Sequence, residues 1–192
     1  MFFQLEDGAG SGRKLKVNGQ NRALTDAVIH TSDQNAAGQG RLFQFGSMPV
    51  NLTSANESAV LYFKNNEDSD LEIVNFSFGS NAMTGAAAGE VYLLRLYVNP
   101  EGITGGTDTF AVNNNLGSSR KLNAEIQFGA EGSTVTGGNI GGNALLDPSR
   151  FVRFPLYWVI PKGTSLAITV QPATGNTSAT VDLFFDAYVS ND

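Results

Sequence analysis

Apolar and polar residues alternate most regularly in the last forty residues of the chain. Leu166, Ile168 and Val170 share one parity, and so do Val181, Leu183, Phe185, Ala187 and Val189. A period of two in β-branched and aromatic residues predicts strands with one face on a core. Pro161-Lys-Gly163 and Ala173-Thr-Gly-Asn176 punctuate them, because Pro presets φ while Gly and Asn accept positive φ. Segment 155–189 therefore reads as three successive antiparallel strands around which the rest is organised.

The same pattern runs upstream. Leu42–Phe45 is a short strand candidate and Ser58–Lys64 a strong one. Asn65–Asp70 is a turn, and Leu71–Phe78 is a second strong strand. Its apolar parity changes between Ile73 and Val74, which predicts a bulge. Glu90–Val98 is apolar on both parities, so it is expected to be a central strand covered on both faces. Leu122, Ala124, Ile126 and Phe128 alternate again. Ser32–Gly40 and Ala82–Ala88 read as loops. Gly129–Gly142, rich in Gly, Ser and Thr, reads as the longest segment without an element of its own, and such loops are commonly functional. No helix is predicted. Eight to eleven short strands predict an all-β fold, a jelly-roll-like antiparallel β-sandwich with an N-terminal arm or small β layer.

Charge divides the chain. Residues 1–50 hold Arg13, Lys14, Lys16, Arg22 and Arg41 against Glu6, Asp7, Asp26 and Asp33. That leaves seven of the twelve basic and fourteen of the eighteen acidic residues for the remainder. The division predicts an N-terminal arm or first strands over 1–50 and the sandwich over 51–192. A net charge of −6 argues against nucleic acid as a general partner, because displacing counterions needs a basic surface. With no cysteine, disulfides, thiol catalysis and Cys-based zinc sites are excluded. Met1-Phe-Phe-Gln-Leu5 turns acidic too soon for a secretory signal, and no run approaches a membrane span. A soluble product of a cytoplasm, with no membrane partner, is expected.

Few residues suggest chemistry. Asp68, Asp70 and Glu72 alternate within the densest acidic cluster, as the paired carboxylates of jelly-roll glycoside hydrolases do. Ser69 interrupts the cluster, and a solvated hairpin tip accounts for it better. His30, the single histidine, has no partner motif for a triad or a metal site. Gly8–Lys14 lacks the Lys-Ser/Thr ending of a phosphate loop. Trp158 and the tyrosines have faces that stack on sugars, but Trp158 lies in a strongly apolar run that predicts core packing. No cofactor and no catalytic or metal-ligating residue is assigned.

Ala59-Val-Leu-Tyr-Phe-Lys-Asn65 followed by Leu71-Glu-Ile73 resembles a hairpin of tailed-bacteriophage structural proteins. Asn113-Asn-Asn-Leu-Gly-Ser-Ser119 and the run from Pro161 to Ser178 are similar in the same way. The likeness spans residues 40–189, and the nearest group is the jelly-roll capsid decoration, or cement, proteins. It implies a virion protein on the phage head surface, made in the host cytoplasm, whose partners are the major capsid protein and its own copies in a homotrimer. Such a protein sits at local three-fold points and stabilises the shell by bridging capsid subunits, because it binds the assembled state. Arg13, Lys14, Lys16 and Arg22 are the expected capsid-binding residues of the arm. Gly137, Gly138, Asn139 and Ile140 are the expected trimer contacts. A phage fibre, spike or tail module binding host surface glycans is the alternative, followed by a free carbohydrate-binding sandwich.

Overall fold

Five residues of the last strand, Val181, Leu183, Phe185, Ala187 and Val189, are all buried, as their parity predicts. In the computed structural model, which describes residues 32–148 and 150–190, that strand lies at the middle of one of two antiparallel sheets. The elements in chain order are α1 (Ser32–Gly38), β1 (Leu42–Gly46), β2 (Val50–Leu52), β3 (Ser58–Asn65), β4 (Leu71–Ser80) and β5 (Tyr92–Val98). Next come β6 (Gly102–Ile103), β7 (Thr107–Thr109), β8 (Val112–Asn113), β9 (Ala124–Phe128) and β10 (Val135–Thr136). The last are β11 (Asn139–Leu146), β12 (Phe151–Ile160), β13 (Ser165–Gln171) and β14 (Ala179–Val189).

One sheet runs β12-β4-β14-β1-β8, with β2 also paired to β14. The other runs β11-β5-β13-β3-β9-β7, and β6 pairs with β10 in a small ribbon. All named pairs are antiparallel. The fold is an all-β, jelly-roll-like sandwich. The three C-terminal strands are not mutual neighbours as expected: β12 and β14 flank β4, while β13 goes to the facing sheet. Strands β1 and β2 also belong to the first sheet, so the boundary expected at residue 50 falls inside β2.

Apolar residues from both sheets fill the gap between them. Phe45 of β1 stacks on Phe63 of the opposite sheet at 4.5 Å between centroids, and on Phe185 of its own sheet at 5.5 Å. Offset stacking of this kind adds to what the buried area alone contributes. The bulge expected in β4 is present. Asn75 pairs with Asp186 and Ile73 with Ala187, which leaves Val74 as the extra residue.

Three expectations are corrected. Ser32–Gly38 is a single short helix rather than loop; of its residues 34–38 Ala36 alone is buried, and Ser32-Asp-Gln-Asn-Ala-Ala-Gly38 carries no apolar helical period. Strand β5 is hydrogen-bonded on both edges, but Leu93, Arg95 and Tyr97 face outward and are only half-buried. Gly129–Gly142 is not structureless, since it holds β10 and the start of β11. The turn between those two strands depends on Gly138, at φ 75°, where a Cβ would sit 2.8 Å from backbone atoms of Pro100.

Candidate contact surface

The sandwich is open along one side, where the edge strands β11 and β12 lie across from each other. Pro155 interrupts β12, and the register slips between Pro155 and Trp158. A proline has no N–H for a ladder, so a strand that carries one is confined to an edge. Strand β11 is thin: Gly141 and Gly142 leave bare backbone on the rim, and a bulge falls between Ile140 and Gly142. A Cβ at Gly141 would lie 2.5 Å from the side chain of Val98, so glycine lets β11 approach β5 there.

The result is an apolar groove. One section, about 460 Å³, is lined by Phe76, Leu94, Leu146, Phe154, Leu156 and the two glycines. Leu96 and Trp158 border it and also border a second section of about 520 Å³, which runs past Val98, Asn99, Tyr157, Val159 and Thr164. Phe76 and Phe154 stack at 6.0 Å in the wall. Trp158 packs against the core and lines both sections, whereas its neighbour Tyr157 points outward, 87% exposed.

Apolar side chains are also exposed on both edge strands. Phe151, Tyr157 and Val159 of β12 and Ile140 and Leu145 of β11 are all exposed. Charge is scarce there. Strand β11 has none, and the single charge of β12, Arg153, is paired with Asp186 at 2.7 Å. Of these, Tyr157 and Val159 adjoin the groove, and exposed apolar surface of this kind marks interaction sites.

A separate polar cluster lies on the outer face of β5 and β13. The Glu57 carboxylate accepts hydrogen bonds from Arg95, Tyr97 and Thr169. Burial and then the Glu57 charge push the Tyr97 hydroxyl above its ordinary value. Every polar atom named here already has a partner within the cluster, so its evident role is to fasten the 53–57 loop to the sheet.

The expected site residues divide. Arg13, Lys14, Lys16, Arg22 and His30 lie outside the described residues. Gly137 and Gly138 form the turn before β11, and Asn139 and Ile140 begin that strand at one end of the open side. The acidic residues do not converge. Glu67 accepts from the backbone of Asn123, Asp68 is paired with Lys162 at 2.5 Å, and Glu72 accepts from Tyr188 and Ser190. Among the described residues no group of three or more His, Cys, Asp or Glu is placed to hold a metal. The rim residues of β12 were missed because an apolar run reads as buried. Pro155 was the available sign that the strand is an edge.

No protein-family model and no curated protein matches the chain. Among solved structures, the Yersinia pseudotuberculosis-derived mitogen is similar over 78% of this chain and 87% of its own, at 11% identity and a TM-score of 0.33. The T=1 particle of infectious bursal virus is similar over 79% of this chain and 40% of its own, at 9% identity and a TM-score of 0.19.

Proposed function

We propose that the protein is a particle component that works by contact: a capsid decoration, or cement, protein that binds the outer head shell of a bacteriophage and bridges capsid subunits. The open side of the sandwich supports this reading most directly. An apolar groove bordered by exposed Tyr157 and Val159, on a chain of net charge −6, has the composition of a surface that another protein covers. Copies repeated over a closed shell make modest individual contacts sufficient. The likeness of residues 40–189 to cement proteins carries the virion assignment, and with it the major capsid protein as partner.

The test is occupancy. Purified protein added to expanded, empty phage heads is expected to bind their outer surface at a fixed ratio to the major capsid protein. Tyr157→Ala combined with Val159→Ser is expected to lower that occupancy without unfolding the chain. Bare shells at saturating concentration would refute the reading.

A glycan-binding module is the second reading. Its support is the placement of Tyr157 beside Trp158, with Asn99 and Thr164 at the same groove, an aromatic face rimmed by polar groups. Retention on host polysaccharide, lost in Tyr157→Ala, would favour it over shell binding.

A further inference from the structure

We infer that β11 is a self-pairing edge, through which two copies of the chain join antiparallel about a two-fold axis and continue one sheet into the other. Strand β11 is eight residues long and is hydrogen-bonded on one side, by β5. Among the described residues its other edge is unpaired and presents backbone donors and acceptors with no charge and no proline in the strand, two of the features that protect an edge, so that the bulge at Gly141 is the one such feature it has. The other described edges are poor partners. Strand β12 is broken by Pro155 and its register slip, β2 and β7 have three residues, and β8 has two. With a single competent edge among the described residues, strand addition between copies through these strands is isologous, which means two-fold.

The residues fit such an axis. Ile140 is in register with Tyr97 and Leu145 with Leu93, so both lie on the outer face of the sheet. They are also its exposed apolar side chains, at 56% and 68%. The bulge at Gly141 absorbs the odd spacing between them. Counting Ile140 and Gly141 as one position, an axis through Asn143 sets Ile140 of each copy opposite Leu145 of the other. It also sets Gly142 opposite Ala144, and Asn143 opposite itself. Apolar cross-strand pairs and a matched amide pair both stabilise antiparallel sheets.

Charge favours a second copy here. Over most of an acidic surface two copies repel, but β11 is neutral, and Arg95 beside Asn143 is already compensated by Glu57. Arg150 follows the strand, loosely paired with Asp147 at 3.6 Å. Exposed Glu101 lies against Gly137, just before the strand. The two-fold brings Arg150 of each copy toward Glu101 of the other. This pairing stands whether or not a shell is bound, and it gives two copies in place of the three that the resemblance implies.

The chain has no cysteine, so a single introduced one reports the register. Opposed Cα atoms of an antiparallel pair lie within reach of a disulfide. The full chain is expected to sediment at twice its 20.3 kDa. Under mild oxidation, Asn143→Cys is expected to yield a covalent dimer far faster than Tyr157→Cys. Leu145→Lys, at an exposed position, is expected to raise the dimer dissociation constant at least tenfold while keeping the β-sheet circular dichroism. If that variant misfolds, the Asn143→Cys cross-link decides alone. A monomer at every concentration, a trimer, or a dimer that Asn143→Cys does not link would each overturn the inference.

Discussion

The side-chain amide of Asn65, wholly buried, donates to the main-chain oxygen of Ile160 at 2.9 Å, across 95 positions of sequence. The same nitrogen donates to Ser69 at 3.1 Å, and its oxygen accepts from the backbone of Glu67. One residue thus closes the β3–β4 turn and ties it to the end of β12. Removing the amide strands two carbonyls near the core. Asn65→Ala is expected to cost about 2–4 kcal/mol in urea unfolding. A change below about 0.5 kcal/mol would show that water replaces the amide at no cost.

Phe45 holds the two sheets together through its stack on Phe63. Phe45→Ala is expected to destabilise by about 3–5 kcal/mol, from lost burial and the cavity left behind. Phe45→Leu should recover most of this. Thermal unfolding of the three proteins checks the order.

Adjacent residues of β12 should behave oppositely. Tyr157→Ala removes an exposed ring and is expected to change stability by less than about 0.5 kcal/mol. Trp158→Ala removes a ring packed on the core and should cost about 2–4 kcal/mol. Shell occupancy should fall in both, and for Tyr157→Ala without any loss of melting temperature.

Alkaline pH gives a further test. Burial pushes the Tyr92 hydroxyl, which donates to the Asn81 carbonyl at 3.0 Å, up to about 12. Its unfolded value is about 10. A folded value above the unfolded one means that the contribution is complete below pH 10 and is lost as pH rises toward 12. Each pH unit between the two ionisations corresponds to about 1.4 kcal/mol. Tyr92→Phe should flatten the decline between pH 10 and 12. An unchanged slope would place the titration elsewhere, with Tyr62 and Tyr97, both also raised by burial, the next to be tested.

Side-chain alternation made β14 and β4 legible, down to the bulge at Val74, because buried faces enforce parity, while β3 was legible as a short continuous apolar run buried on both faces. Strand β11 was not legible. Its ladder to β5 is made by backbone, and Gly141 and Gly142 contribute no side chain to a pattern. The open side escaped for a related reason. An apolar run such as Phe151–Ile160 looks alike whether a second sheet or another molecule covers it, and only Pro155 distinguishes the cases. Strand order was equally hidden, since turn residues fix neighbours in sequence and not the long crossovers.

Strand β14 separates β4 from β1 and also carries β2. Until residue 189 has left the ribosome, three earlier segments lack the ladder that joins them, and the groove wall on β4 and β12 has no fixed backing. Closure therefore waits on the most distant pairings among the described strands, and such topologies reach the native state slowly. Copies in which β14 has not yet emerged would lack a finished groove wall, so premature association among them would be suppressed by the order of synthesis alone.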